Sequence, residues 1–150
     1  MRFLFLFLLV VCGSVLGQKS TFYNTLKGSN KELLLKQLES LPFTKNSHLK
    51  KGYEGAINCK IASCEKTPKN KLDYFKKGAL ELEEAIKKDE NNIELRFLRL
   101  LIQENAPPIV KYNKDIKKDC LFIKEHFIGV DVELKKIILD YAKSSSNLKL

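Results

Sequence analysis

The residues best placed to do chemistry are two arginines. Apart from Arg2, Arg96 and Arg99 are the only arginines of a chain that carries 24 lysines. Both fall in IELRFLRLLIQE, a stretch apolar enough to be packed on more than one side if helical. With Gln103 they stand at i, i+3 and i+7, which makes one polar stripe on one helix face. Lysine is this chain's default cation, so arginine in apolar surroundings points to a need for the planar guanidinium fork, always charged and able to hold a carboxylate through two hydrogen bonds. A charge so placed must be paired. The first reading is an internal tie to Glu54, Asp73, Glu83 or Glu94. The second is a groove in which Arg96, Arg99 and Gln103 grip an outside carboxylate, such as a peptide C-terminus. The third is a plain exposed stripe.

The other reactive groups are few. Cys59, Cys64, Cys120 and His126 are the right residue types for a tetrahedral zinc site. Their spacing argues against one. Five residues apart on a helix, Cys59 and Cys64 point about 140° apart with Cα atoms roughly 8.6 Å apart. That exceeds the limit of about 7 Å for a disulfide. Cys64–Cys120, across two apolar faces, remains the candidate disulfide, and buried core thiols are the other role. Cys120 and His126, at i and i+6, point about 120° apart and do not form a catalytic pair on one helix. His48 belongs at a helix start, solvated. His126 belongs in a last turn, where a partly charged imidazole suits the negative end of the helix dipole. No HExxH, GxSxG or phosphate-cradling glycine loop is present. No metal, cofactor or catalytic residue is expected, and the chain does not read as an enzyme.

The elements that must position these residues are helical throughout. A short helix over 20–27 ends at Gly28. Ser29 and Glu32 form a capping box for a helix that runs to Ser40, buries Leu34, Leu35, Leu38 and Leu41, and stops before Pro42. Ser47 caps a helix over 48–65 whose apolar face is Leu49, Tyr53, Ile57, Ile61 and Cys64. Asn70 caps 71–88, with Leu72, Phe75, Ala79, Leu82 and Ile86 in one stripe. Asn92 caps the central helix, 93–104, which Ala106-Pro107-Pro108 ends. A helix from Asn113 or Asp115 to Phe127 buries Ile116, Cys120, Ile123 and Phe127, and Gly129 follows as a left-handed cap. Asp131 caps the last helix, with Leu134, Ile137, Ile138 and Tyr141 inward. Short loops make neighbours antiparallel. The expected fold is all-α, a compact stack of about six helices in antiparallel hairpins over 18–143, with 144–150 as a frayed tail.

The segment GALELEEAIKKDENNIELRFLRLLI, from Gly78 to Ile102, resembles a tetratricopeptide-repeat junction. Gly78, Leu82 and Ala85 match that family's small, large and alanine positions. Asp89 is followed by Glu90 where the family usually has proline, Arg99 stands where it packs a small residue, and no second copy occurs at the 34-residue period. The resemblance implies helical hairpins with a concave face for peptides or partner helices. The chain is also similar to small exported proteins of Bacteroidota that share a phrase like RFLRLLIQENAPP, a likeness that implies no particular activity.

Residues 1–17 read as a secretory leader: Arg2, the apolar run FLFLFLLVV, then Val15 and Gly17 before a cut at Gln18. The apolar stretch is shorter than the roughly 20 residues of a spanning helix. Cys12 lacks the small preceding residue of a lipoprotein anchor. Export, to a periplasm or beyond, is expected. The net charge of +9 falls to +8 without Arg2. The lysines are spread among acids, with Glu83–Lys87 and Glu84–Lys88 at helical spacing, so nucleic acid is not an expected partner. The sequence therefore points to a non-catalytic helical binding or scaffold module for a protein or peptide. The alternative is a basic peripheral protein on anionic lipid or polysaccharide.

Overall fold

Side-chain caps decide where most helices of this chain begin, those opened by Asn30, Asn46, Thr67, Asn92 and Asp131. A computed structural model describes residues 17–41 and 44–150. It contains α1 (Gln18–Lys27), α2 (Lys31–Glu39), α3 (Ser47–Cys64), α4 (Pro68–Lys88), α5 (Ile93–Asn105), α6 (Ile116–His126) and α7 (Val132–Ala142). Single 3₁₀ turns cover Pro108–Val110 and Phe127–Gly129, and no strand occurs among the described residues. The all-α class is as expected, with seven α-helices where about six were expected. The leader assigned to 1–17, Cys12 and the Pro42 stop signal lie outside the described residues, apart from Gly17 itself. Among the described residues no helix is long and apolar enough to cross a membrane.

Three caps differ from the sequence expectation, each by one to three residues. Asn30, not Ser29, accepts from Leu33 N to open α2. Asn46, not Ser47, accepts from the amides of His48 and Leu49 to open α3. Thr67 accepts from Asn70 N, which lets Pro68 take the first position of α4, where its missing N–H is no loss. Asn92 and Asp131 cap α5 and α7 as expected. Gly129 is not a left-handed cap. The chain leaves α6 through the 3₁₀ turn it belongs to, and the sole left-handed glycine among the described residues is Gly17.

The α3–α4 hairpin is built on a close approach. A Cβ placed on Gly78 would stand 2.4 Å from Gly55 O and 2.5 Å from Cys59 N; one on Gly55 would stand 2.6 Å from Gly78 O. Only glycine allows the two backbones to meet there. Around this point Tyr53, Ile57, Ile61, Leu82 and Ala85 are buried. Helix α5 packs on α3, α4 and α6 together, and Leu95, Phe97, Leu98 and Leu100 on its different sides are all fully buried. That matches its apolar sequence, and it is the central helix. At the chain's two ends α1 packs on α7.

Two expected core leucines face outward: Leu35 of α2 and Leu72 of α4 are exposed. The C-terminal segment, expected to be frayed, is docked. Leu148 is fully buried, and Glu104 of α5 accepts hydrogen bonds from the Ser145 hydroxyl and from both the backbone and side-chain amides of Asn147. An apolar anchor and a partly buried carboxylate with three donor groups hold it in place.

Candidate functional site

Arg96, Arg99 and Gln103 share one face of α5, the face turned to α6. Ile116, Asp119, Cys120 and Ile123 of α6 form a stripe at helical spacing, so Asp119 is an acid among inward residues and is fully buried. Arg99 Nε and Nη2 donate to its two carboxylate oxygens, each at 2.7 Å. Arg99 Nη1 donates to Glu83 of α4 at 2.8 Å and lies 3.7 Å from Asp115. Burial works against the Arg99 guanidinium, but Asp119, Glu83 and Asp115 outweigh it and hold the pKa above the ordinary arginine value. Arg96 donates through Nε and Nη2 to Glu90 O at 3.1 and 3.0 Å, and through Nη1 to Asp119 at 3.4 Å. Its guanidinium lies over the Phe122 ring, 5.0 Å from the centroid. Tyr112 closes the network by donating to Glu83 at 2.6 Å.

Both guanidinium groups are therefore committed inward. Arg96 is 7 % exposed and Arg99 4 %, and the carboxylate that Arg99 grips is the protein's own Asp119. This corrects the reading in which the pair grips an outside carboxylate: every side-chain nitrogen of Arg99, and each nitrogen of Arg96, already faces an internal acceptor. Of the four partners considered from sequence, Glu83 is present; Asp119, Asp115 and the Glu90 carbonyl were missed. The signal for Asp119 was its place between Ile116 and Ile123 on the apolar stripe. Gln103, 2 % exposed, has no hydrogen-bond partner on either amide atom among the described residues.

The opposite side of α5 carries a second buried acid. Glu94 accepts from Lys19 at 2.8 Å, from Tyr23 at 3.3 Å and from Tyr53. Lys19 also reaches Asp131 at 2.8 Å. Burial and the Glu94 charge push both tyrosine hydroxyls above their usual range. These groups tie α1 to α3, α5 and α7. They are occupied structurally.

The three cysteines of the described chain are free thiols. Cys64 donates to Ser29 O at 3.4 Å, on the α2 side, whereas Cys120 is buried on the α5–α6 side. The Cys64–Cys120 disulfide is therefore not formed, because the two thiols serve different interfaces. Cys59 donates to Phe75 O at 3.6 Å. Burial raises its thiol well above the ordinary value and pushes that of Cys120 up to about 11. His126 stacks on Phe122, 4.0 Å between centroids, with Nδ1 2.8 Å from Phe122 O. Among the described residues no three His, Cys, Asp or Glu side chains group as metal ligands.

The open site lies past the end of α5. Helix α4 has 21 residues and α3 has 18, but α5 has 13, or about 31, 27 and 20 Å. Because α5 runs back from the C-terminal end of α4, it stops short of α4's first two turns. There Cys59, Ala62 and Ser63 of α3 and Pro68, Leu72 and Phe75 of α4 meet only the last residues of α5, Ile102 and Asn105, and the 106–110 turn across an open groove. The result is a groove of about 620 Å³ floored by Cys59, Ala62, Leu72, Phe75, Ile102 and Val110. Its volume is in the range of about 300–1,000 Å³ usual for ligand sites. Its polar lining is limited to Lys60, Ser63, Lys71 and Asn105. A second cavity of about 330 Å³ shares Lys60, Ile102 and Asn105 with it and continues over Tyr23, Phe97 and Tyr141. The exposed Leu72 belongs to this groove, as does Ile109, 87 % exposed between its walls. A third concavity, about 760 Å³ between α1 and α7, is bordered by Lys27, Lys136, Lys143 and Lys149 as well as by Ile137 and Leu139.

No family model, no curated protein and no solved structure matches the chain.

Proposed function

We propose that the chain is an exported, non-catalytic binding module that holds an apolar ligand in the groove between α3, α4 and the 105–110 turn. The observation that carries this is the uncovered end of the α3–α4 hairpin: apolar surface with the volume of a ligand site, left open by the shortness of α5. The leader-like first 17 residues support export. The reading without chemistry is supported by the internal engagement of several reactive groups: the arginines on Asp119, tyrosines on Glu94 and Glu83, and His126 on Phe122.

The test is binding of a neutral dye whose fluorescence rises in apolar surroundings. Saturable binding to the purified protein is expected. Leu72→Glu and Ile109→Asp, both at exposed positions, are expected to weaken it severalfold without moving the melting temperature. Binding that ignores both changes would place the apolar site elsewhere.

A further inference from the structure

We infer that the ligand of this groove is an anionic amphiphile, an alkyl chain ending in a carboxylate whose head is held by Lys60 and Lys71; this rests on the reading of the groove as the binding site. Three observations point to that class.

The first is the sign of the lining. One wall contributes Lys60 from α3 and the other Lys71 from α4, and no Asp or Glu lines the groove. Neither ammonium group has a hydrogen bond or ion pair among the described residues, as is usual for this chain's lysines, so what sets these two apart is their place on facing walls of one apolar groove. Two like charges beside low-dielectric walls favour an anion and disfavour a cation. The second is what the groove cannot do. Ser63 donates its hydroxyl to Lys60 O and Asn105 its amide to Leu101 O. Few polar groups are left to pair the N–H and C=O groups of a peptide backbone, and burying those without partners is unfavourable. An alkyl chain makes no such demand. The third is continuity. Lys60 borders both this groove and the 330 Å³ cavity beyond it, so a chain in the larger compartment brings its head to the junction. A second copy of the protein is a poor occupant, since each copy is strongly basic, +9 with the leader and +8 without it.

Calorimetric titration of the purified protein with dodecanoate, dodecanol and dodecyltrimethylammonium, each below its aggregation limit, separates the possibilities. Dodecanoate is expected to bind about five- to tenfold tighter than dodecanol, the size of two partly exposed ion pairs, and the cation weakest. In Lys60→Gln/Lys71→Gln the carboxylate is expected to fall to the level of the alcohol, while the alcohol is unchanged. Equal binding of dodecanoate and dodecanol to the wild-type protein would overturn the assignment of the anionic head and leave the apolar groove standing. Binding of none of the three would overturn both.

Discussion

Beside α5 two arginines meet three carboxylates and a carbonyl; past its end two lysines meet none. In the first region Arg96 and Arg99 are buried between α5 and α6, where a guanidinium left unpaired is not tolerated. Their fork geometry is used up on Asp119, Glu83 and Glu90 O. In the second, Lys60 and Lys71 sit at the edge of a groove, where water hydrates the ammonium groups and no internal partner is needed. The difference teaches that the residue type most eye-catching for recognition marks the structural joint, while the ordinary cation of the chain borders the open site.

Breaking the joint should have the largest effect. Arg99→Met removes both short hydrogen bonds to the buried Asp119 and leaves it only Arg96 Nη1 at 3.4 Å, and is expected to lower stability by about 3–5 kcal/mol in urea denaturation. The double change Arg99→Met/Asp119→Leu is expected to recover much of that loss, because an apolar pair needs no partners. If the double variant is as unstable as the single, the pair is not acting as a coupled charge. Next in size, Gly78→Ala forces a Cβ against the backbone of Gly55 and is expected to cost about 1–3 kcal/mol. The same variant should loosen the groove, read as weaker dye binding, because Cys59, which lines the groove, packs on Gly78.

The joint also has one flaw that sharpens the contrast. Gln103 is buried without partners, so Gln103→Leu is expected to raise stability by about 1 kcal/mol. A loss of that size would instead mean that its amide has a partner, such as an internal water. A smaller effect is expected with acid. Burial favours protonation of Glu104, but hydrogen bonds from Tyr141, Asn147 and Ser145 outweigh it and hold its pKa below the usual carboxylate value. A depressed pKa contributes stability that is present above the unfolded value, about 4.3, and is lost as pH falls through the folded one. Residues 144–150 should therefore detach before the core melts as pH falls below the unfolded carboxylate value, seen as faster amide exchange at Asn147 and Leu148. Smallest of all, Lys60→Gln and Lys71→Gln should leave stability within about 0.5 kcal/mol of wild type, since their ammonium groups tie nothing together.

Helix type and order were legible in the sequence, and the number to within one. Periodicity and side-chain caps are local, and α5 declared itself central by being apolar on nearly every side. Three cap positions were missed by one to three residues, because Asn30, Asn46 and Thr67 compete with equally plausible neighbours and only the entry geometry of each helix chooses among them, while Asn92 and Asp131 were read correctly. The pairing of Arg99 with Asp119 was half legible. The need for an acid followed from the arginine, but which of the chain's carboxylates answered it depended on the register of α6 against α5. The docking of Leu148 and the free thiols of Cys64 and Cys120 likewise depend on which elements meet. The groove was not legible at all. It arises from the unequal lengths of α3, α4 and α5, and from the direction in which the 105–110 turn leaves. Local sequence determined what each helix is, because hydrogen bonds and caps act within a few residues. Tertiary structure decided what each polar side chain is for, because a charge takes its meaning from the partner that packing brings to it or withholds.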